Sequence, residues 1–490
     1  MFAHLPILQV VVPLLAAPLV GLLRRGTLAW TMTTAASLTS FVIALTLVER
    51  VRQGDRLTYA LGAWPAPYGI ELSVDALSGL LLLIITGAST TALLACKASL
   101  ERQIDAERRP LLYATWLLAL AGLVGIVVSG DAFNIFVFME ISSLATYVLI
   151  ASGPQRAALP AVFKYLVMGT IGATFYLIGV GLVYMLTGTL NLADMQMRLQ
   201  ESAELRPVLV ACGFITIGLA LKAAVFPLHG WLPNAYAFAP HAVTVFIAGC
   251  STKVALYVLL RFDFVVFQGN LERHAVQFTG FILPLAIIAM LAASVRALFE
   301  HDVKRILAYS SVAQVGYILL GASLLSFAGL KSSLLHLFNH SLAKATLFLA
   351  IAALAMSGMA HSLEGVKGAA RRMPVTMAVF VVAGLSLIGV PGTAGFVSKW
   401  YLVLAALELG WIGAWLAVPM LVSSVLAVGY VWRIVEPAYF GETSGRAVVA
   451  EAPRWMLAVL LLAGLANLYF GLDPDLPLEL VEAAAGSLLE

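Results

Sequence analysis

Long apolar stretches follow one another along almost the whole chain, separated by short polar segments. Many of them reach the roughly 18 residues that a helix needs to cross the hydrocarbon core of a bilayer. The pattern therefore predicts an all-α polytopic membrane protein with about 14 spanning helices. We place the spans at residues 5–23, 28–48, 74–96, 111–129, 131–151, 161–187, 207–238, 241–262, 277–299, 303–325, 331–357, 374–407, 412–440 and 454–472.

Two of these spans, the seventh and the twelfth, are interrupted by proline and glycine. The seventh is apolar up to Ala224 and then reads Phe-Pro-Leu-His-Gly-Trp-Leu-Pro over 226–233, and the twelfth contains Gly-Val-Pro-Gly-Thr-Ala-Gly over 389–395. Proline removes a backbone donor and glycine permits irregular dihedral angles, so we expect a broken helix at each place. Broken helices in corresponding positions of two halves point to a transport site.

The breaks also indicate an internal repeat. The sixth span ends in Thr187-Gly188 and the eleventh in Ser357-Gly358, and each is followed by the broken helix of its half. The breaks coincide when helices 4–8 are aligned with helices 9–13, and a repeat of five helices places the second copy upside down. We therefore expect an N-terminal three-helix segment (1–110), a first repeat (111–262), an inverted second repeat (277–440), and a last helix with a short acidic tail (441–490).

Composition supports the membrane assignment and adds an orientation. The chain of 490 residues is 61% hydrophobic and 11% charged, whereas soluble domains carry about 25% charged residues. Loops after odd-numbered spans hold about twice as many Lys and Arg residues as loops after even-numbered spans, and basic loops stay in the cytoplasm. We expect a bacterial inner-membrane protein with both termini extracytoplasmic. Its loops are too short for a soluble catalytic domain.

Five basic residues remain within the spans when those counted with the loops are set aside, and they are the sharpest chemical signal. They are Lys164, Lys222, Lys253, Lys344 and Lys399, although most of the 29 basic residues of the chain are arginine. A charge at the bilayer centre costs at least about 2.5–3.5 kcal/mol and is functional by default. A desolvated lysine can release its proton whereas arginine stays charged, so this choice predicts groups that gain and lose a proton.

Glu140 is the expected partner of Lys222. It is the only carboxylate in the interior of the fifth span, beyond Asp131 at its start, and Lys222 lies shortly before the break at Pro227. A nearby carboxylate stabilises a protonated lysine, and moving it away favours proton release, so the pair can act as a gate. The alternative is a static buried ion pair that fixes helix packing.

The eleventh span carries a polar stripe. His336, His340 and Lys344 are spaced i, i+4 and i+8, so they share one face of an otherwise apolar helix. Imidazole can accept a proton on one nitrogen and release it from the other, which suits a relay. Two histidines at this spacing can also bind a metal ion, but neither a third ligand nor an HExxH glutamate accompanies them.

Other polar residues extend this set. We expect Lys253 to bridge the two halves and Lys399, just past the second break, to serve the second half. Lys164 lies near a helix start and either lines an access path or extends to the cytoplasmic interface. His229 and His241 flank the first broken helix, where they line an entry path or cap a turn.

Two further observations limit the chemistry. The tenth span opens with His-Asp-Val-Lys-Arg over 301–305, which we interpret as a solvated helix start with Asp302 near its N-terminus. No Walker sequence, no G-x-G-x-x-G after a strand and no Ser/His/Asp grouping occurs in the loops. We therefore expect no nucleotide, metal or redox cofactor on this chain.

Three stretches resemble the proton-pumping, antiporter-like subunit family shared by respiratory complex I and Mrp-type multisubunit Na+/H+ antiporters. They are residues 222–235, 301–311 and 336–344, and the likeness extends over nearly the whole chain. The Pro-Asn-Ala-Tyr sequence at 233–236 looks most like the D-type subunit of the Mrp antiporters, which is related to complex I subunits N, M and L. The resemblance implies inverted repeats and a charged axis at mid-membrane that contains Glu140, Lys222, Lys253 and Lys399.

Residues and resemblance together predict a proton-translocating subunit of a multisubunit monovalent cation (Na+/H+) antiporter. Protons would move along Lys222, Lys253, His336, His340, Lys344 and Lys399, with Glu140 modulating Lys222. The expected partners are other membrane subunits, with Na+ or K+ as the exchanged ion. One alternative is an antiporter-like proton-pumping subunit of a complex I or membrane-bound hydrogenase-type complex, without its own redox site. A polytopic lipid-linked glycosyltransferase would need a large charged extracytoplasmic loop, which the sequence lacks.

Overall fold

The computed structural model describes residues 4–201, 205–267, 277–359, 361–442 and 451–489. The helices within them are α1 (Leu5–Gly21), α2 (Gly26–Arg52), α3 (Ala76–Ala95), α4 (Lys97–Gln103), α5 (Arg109–Val128), α6 (Ala132–Ala151), α7 (Ala158–Thr187), α8 (Leu192–Glu201), α9 (Leu205–Lys222), α10 (Leu232–Phe238), α11 (His241–Arg261), α12 (Leu283–Phe299), α13 (Val303–Ser323), α14 (Phe327–Met356), α15 (Ala369–Arg372), α16 (Pro374–Ile388), α17 (Ala394–Leu407), α18 (Trp411–Phe440), α19 (Arg454–Leu472) and α20 (Asp475–Leu489). Every predicted span coincides with one of these helices or with a pair of them across a break. Within the described ranges, 11 helices are long and apolar enough to cross a membrane, and α1, α16 and α17 are shorter apolar helices. The prediction of an all-α polytopic fold is confirmed.

Both predicted breaks are present. One separates α9 from α10 and contains Ala224, whose φ is 56°. The other separates α16 from α17 and begins at Gly389, whose φ is 93° and whose N–H donates to the Leu385 carbonyl. Glycine adopts this left-handed C-cap without the steric cost of a side chain, so the sequence ends α16 at this residue.

Matching helix caps and backbone bridges occur at corresponding positions of the two predicted repeats. Asp131 caps α6 and Asp302 caps α13, and each side chain accepts the N–H of the residue three positions on. Asp131 also forms a backbone bridge with Asn191 after α7, and Asp302 forms one with Ser362 after α14. These are equivalent positions in helices 4–8 and 9–13 of the predicted numbering. Because an odd number of helices separates them, the two caps lie at opposite ends of the bundle.

The structure adds elements that the apolar pattern did not predict. The segment between α2 and α3 forms an antiparallel hairpin of β1 (Leu57–Ala60) and β2 (Glu71–Val74). Short helices α4, α8 and α15 lie in other connections, and π-helical turns Phe262–Val266 and Phe278–Ile282 flank the connection between α11 and α12. The hairpin and α8 belong to the same predicted face of the membrane, where they surround the end of α11.

The C-terminal segment is more than the acidic tail we predicted. Residues of α20 alternate with the helical period, so Leu480, Ala484 and Leu488 are buried against α3 and α14. Its acidic face pairs with neighbouring helices, since Glu479 lies 2.6 Å from Arg52 and Glu482 lies 2.7 Å from Lys331. The tail is therefore a packed amphipathic helix. Its acidic composition concealed the apolar stripe.

Gly395, at the start of α17, allows the broken helix to pack closely. A Cβ at this position would lie 1.8 Å from the carbonyl oxygen of Ser386. Replacing Gly395 with alanine is expected to destabilise the protein by about 1–3 kcal/mol, as overpacking of a dense core does. Thermal unfolding of the purified protein in detergent measures this change as a lower Tm.

Gly213 in α9 supplies the matched control, because a Cβ there would meet nothing within 4 Å. Gly213→Ala should leave the Tm unchanged or raise it, since alanine favours the helix over glycine. A Gly395→Ala variant with the Tm of the unaltered protein would contradict the close contact between α16 and α17.

Candidate functional site

Four of the intramembrane lysines lie deep inside the bundle, and together they form what we call the lysine file. The relative exposure is 8% for Lys222, 1% for Lys253, 0% for Lys344 and 8% for Lys399. Among the described residues, only Lys222 of these four lies within ion-pair distance of a carboxylate. The other three amines are held by neutral oxygen atoms, so no fixed negative charge in the described part of the chain locks them in the protonated form.

Lys222 meets the partner that the sequence suggested. It is the last residue of α9, and its Nζ lies 3.4 Å from Glu140 Oε1 on α6. The ammonium also donates to Ser143 Oγ at 2.6 Å, one turn further along α6. The Glu140 side chain keeps 28% exposure while Lys222 is buried. The ion pair with Glu140 is longer than the hydrogen bond to the neutral Ser143 hydroxyl. A small shift of either helix can therefore change which group Lys222 contacts.

Lys253 lies on α11, the helix through which the first half contacts the second. Its Nζ donates to the Ala248 carbonyl of the same helix. The next carbonyl along α11, that of Gly249, accepts from Ser341 Oγ of α14. Because α11 packs along α14, Lys253 lies beside the helix that carries the two histidines.

The two histidines of α14 are brought together as a stacked pair. Their ring centroids lie 6.2 Å apart with an interplanar angle of 8°. His336 bonds Ser398 Oγ through Nδ1 at 2.9 Å and Gln314 Oε1 through Nε2 at 2.8 Å. Because an amide oxygen only accepts, Nε2 donates to Gln314, and Nδ1 accepts from Ser398 Oγ when the ring is neutral.

His340 differs from its neighbour in its hydrogen bonding. It is 2% exposed, and neither ring nitrogen has a hydrogen-bond partner within the part of the chain that the structure describes. Leaving a buried polar atom unsatisfied costs about 1–3 kcal/mol, which is why such sites are commonly hydrated. Both ring nitrogens of His340 are therefore available to bind water.

Lys344 completes the stripe one turn beyond His340. Its Nζ donates to the Leu307 carbonyl at 2.6 Å and to Ser310 Oγ, both on α13. His336, His340 and Lys344 thus lie on one helix and are all buried, as their spacing indicated. The stripe runs through the interface between α14 and its neighbours rather than along the lipid surface.

Lys399 binds the end of the second broken helix. Its Nζ donates to the carbonyls of Leu387 at 3.1 Å and Ile388 at 2.9 Å, which are the last of α16, and to Ser424 Oγ at 3.2 Å. It also lies 4.5 Å from the centroid of the Tyr317 ring. The carbonyl end of a helix carries partial negative charge, so α16 provides a place for a cation without a carboxylate. Ser398, the neighbour of Lys399, is the residue that binds His336.

Two of the suggested access residues lie beside the first break. The Lys164 side chain is exposed, and its Nζ lies 3.2 Å from the place that a Cβ on Gly230 would take. His229 stacks on Phe226 with ring centroids 5.2 Å apart, and its Nδ1 has no partner among the described residues. Lys164 and His229 therefore both lie at the interruption that follows Lys222 in the sequence.

His241 is placed differently from His229. It is buried at the start of α11, its N–H donates to Gln103 Oε1, and its ring meets His361 with centroids 4.6 Å apart. Burial and the nearby charge of Lys304 lower the pKa of His361 to about 4, so this partner is neutral at physiological pH. His241 thus joins a cluster between the two repeats rather than the lysine file.

Our interpretation of the tenth span's start was wrong for Lys304. Asp302 caps the helix as expected, but Lys304 is 2% exposed and donates to the carbonyls of Ala237 and Ala239 at the end of α10. Only the fold brings α13 against α10, so the sequence offered no partner for this lysine. Lys304 connects the second repeat to the broken helix of the first.

The polar residues that surround the lysines were not predicted. They are Ser143, Ser310, Gln314, Tyr317, Ser398 and Ser424. Serine is common in membrane helices for packing reasons, so its presence alone does not mark a site. The spacing of Ser143 three residues after Glu140 is the one signal that could have identified a member of this group.

Comparison with known proteins places this geometry in a family. Residues 129–427 match the model described as "NADH:quinone oxidoreductase/Mrp antiporter, TM". The chain is 40% identical to NADH-quinone oxidoreductase subunit N of Desulforudis audaxviator, with 96% of each chain covered. It is 32% identical to the D-type subunit of a Na(+)/H(+) antiporter of Bacillus subtilis, over 99% of this chain and 97% of that one.

A solved structure agrees with the fold over the full length. A chain of the Mrp complex from Dietzia sp. DQ12-45-1b superposes with a TM-score of 0.91 at 29% identity, over 100% of this chain and 98% of that one. The buried lysines, the histidine stripe and both broken helices lie within the range that matches the family model.

Proposed function

The chain belongs to the NADH:quinone oxidoreductase/Mrp antiporter transmembrane family, and from this membership we propose that it is the proton-translocating subunit of a multisubunit monovalent cation (Na+/H+) antiporter. The observation that carries the proposal is the lysine file, in which only Lys222 lies near a carboxylate in the described ranges. A lysine that is buried only to fix packing is normally paired.

Each lysine of the lysine file and each histidine of the stripe has a role in proton transfer. Lys222 holds a proton while Glu140 is near and releases it when their distance grows. Lys253 accepts it and passes it towards His340, whose ring nitrogens are free for water. His336 and Lys344 share the stripe with His340, and Ser398 connects His336 to the helix that carries Lys399. Lys399 delivers the proton to the second half, or receives it when flow is reversed.

The energy for exchange comes from the membrane potential. Moving one charge across the bilayer is worth about 2.3 kcal/mol per 100 mV, which is enough to drive a coupled cation. The contacts of Lys222 are a 3.4 Å ion pair and a 2.6 Å hydrogen bond to a hydroxyl. Such a pair can be biased by a shift of α6 against α9, and this movement links proton release to events elsewhere in the complex.

Membrane placement follows from the charges of the loops. We propose that both termini lie outside the cytoplasm of a bacterial inner membrane, so that the hairpin, α8 and α20 lie on the extracytoplasmic face. Only 28% of the apolar 18-residue stretch of α18 and 22% of that of α19 is buried within this chain. The rest leaves surface for lipid or for neighbouring subunits. Na+ or K+ is the exchanged ion, with other membrane subunits as partners.

A second candidate is the proton-pumping subunit of a redox-driven complex of the complex I or membrane-bound hydrogenase type. The 40% identity to an NADH-quinone oxidoreductase subunit N favours it. The same lysine file would serve either complex, because each needs a titratable path and neither needs a redox group on this chain.

One experiment separates the two candidates. The chain is expressed with its neighbouring gene products in cells that lack Na+/H+ antiporters, and everted vesicles are energised and then given NaCl or KCl. The proposal predicts dissipation of the pH gradient on cation addition, and co-purification of antiporter subunits with the chain. A pH gradient that persists after NaCl or KCl is added, together with co-purified iron–sulfur subunits, would establish the redox candidate instead.

A further inference from the structure

A polar cavity lies at the end of α11 on the predicted extracytoplasmic side. Its volume is about 570 Å³, and its walls come from the hairpin, α8, α20 and the start of α3. The charged residues that line it are Asp55, Arg56, Glu71, Asp75 and Arg261. The lysine file contributes none of them, so the cavity has no part in the path proposed so far.

The floor of the cavity is an ion pair that is tied to neighbouring helices. Arg261, the last residue of α11, pairs with Asp75, the N-cap of α3. The guanidinium also donates to Ser78 Oγ at 3.1 Å and to Tyr257 Oη at 3.2 Å. Tyr257 in turn donates to the Val127 carbonyl at 2.7 Å. Asp75 and Arg261 keep 17% and 13% side-chain exposure, and the hydroxyl below them is buried.

This pair stands directly above an amine of the lysine file. Lys253, Tyr257 and Arg261 are spaced i, i+4 and i+8 on α11, so they follow one face of the helix. Eight residues of α-helix rise about 12 Å, and Tyr257 lies halfway. These three side chains form a column along α11. It leads from Lys253, which is 1% exposed, to the polar cavity at the surface.

Fixed charge decides what can cross this column. Arginine stays protonated at any physiological pH, so Arg261 repels a hydronium ion that approaches Lys253 from the cavity. Asp75 compensates that charge only while the two side chains are in contact. A hydroxyl and a permanent cation in series form a barrier to protons, whereas a neutral side chain in place of Arg261 would not.

We propose that the cavity is an outward proton vestibule of the first half and that the Arg261–Asp75 pair is its gate. The proposal rests on the proposed function and adds a second outlet to it. While the pair is formed, Asp75 compensates the charge of Arg261, and water from the vestibule reaches Lys253 and accepts a proton from its ammonium. The lysine becomes a neutral amine and the hydronium ion leaves through the vestibule. When the pair separates, the uncompensated charge of Arg261 prevents return.

Substitution of the two partners tests the gate, because the expected effects have opposite signs. Arg261→Gln removes the fixed positive charge and should increase the passive proton leak of vesicles that contain the assembled complex about tenfold. Asp75→Asn leaves the charge of Arg261 uncompensated and should slow coupled transport about tenfold without a leak. Both are measured as decay of an imposed pH gradient, normalised to the amount of complex.

A matched ion pair provides the control. Arg52 and Glu479 pair at 2.6 Å on the same face but outside the cavity lining. Arg52→Gln and Glu479→Gln should change neither leak nor transport. If Arg261→Gln and Asp75→Asn both lower transport and leave the leak unchanged, the pair is a structural staple and the gate is overturned.

Thiol labelling keeps the proposal testable if those variants fail to assemble. Ser73 on β2 lines the cavity, and the three native cysteines are buried. A membrane-impermeant methanethiosulfonate applied to intact cells should modify Ser73→Cys and block transport. Tyr68→Cys, on a side chain that is 89% exposed in the hairpin, should be modified without loss of transport.

The outcomes distinguish the vestibule from the function on which it rests. The vestibule is overturned if the reagent applied outside the cell does not modify Ser73→Cys. It is also overturned if the cysteine is modified and full transport is retained. Reaction from the cytoplasmic side alone overturns its direction. Lys222→Ala that keeps full transport would overturn the proposed function, whatever the labelling shows.

Discussion

Replacing Lys222 with alanine is expected to reduce proton-coupled cation transport at least about 100-fold, because a positioned proton-transfer group contributes about 10²–10⁴ in rate. The side chain is the only one of the four deeply buried lysines with a carboxylate partner in the described ranges. Without its amine, no group at this position donates a proton to Glu140 and Ser143 or takes one up from the path. Transport by everted vesicles, normalised to the complex in the membrane, measures the loss.

Lys222→Arg sharpens this prediction. Arginine keeps the positive charge and the ion pair with Glu140 but does not release its proton. We therefore expect Lys222→Arg to lose transport while its Tm stays near that of the unaltered protein. If a static ion pair were the role of Lys222, Lys222→Arg would transport normally.

Lys331 supplies the control for a lysine–glutamate pair. Its Nζ lies 2.7 Å from Glu482, and the Glu482 side chain is 44% exposed. Lys331→Ala should keep transport, because this pair is not part of the lysine file and Glu482 stays solvated without its partner. Equal loss in Lys331→Ala and Lys222→Ala would show that the assay reports assembly rather than proton transfer.

The second large effect is expected at Lys344. Replacing it with methionine, which has similar length and volume, should reduce transport about 100-fold because the stripe loses its terminal proton acceptor. The Tm should change only slightly, since volume-conserving replacements in a core cost less than about 1.5 kcal/mol. Lys344 donates only to Leu307 and Ser310 among the described residues, so no carboxylate is left unpaired.

Lys344→Met should therefore lose transport while it keeps its stability. Lys367→Met is the control, because its Nζ pairs with Glu364 in a loop outside the lysine file. It should retain transport. A Lys344→Met protein that unfolds at a lower Tm and loses transport only in proportion to its lower amount would contradict the relay and assign Lys344 to packing.

Much of this protein was predictable because lipid imposes simple rules on a sequence. Apolar length located every span, and Pro227, Gly389 and their neighbours located both breaks. The cost of charge at the bilayer centre marked Lys222, Lys253, Lys344 and Lys399, and the i, i+4, i+8 spacing placed His336 and His340 on the face that carries Lys344. These inferences depend on local periodicity and on a solvent that excludes charge, so the chain alone determines them.

The tertiary structure decided what those groups touch. Gln314 and Ser398 bind His336, Lys304 binds the end of α10, and Asp75 meets Arg261 across 186 positions of sequence. Each contact joins helices that are distant along the chain, and serine, glutamine or a charged residue at a helix end has many permissible partners. Which partner is chosen depends on helix packing. The same reason explains why the cavity at the end of α11 was not foreseen.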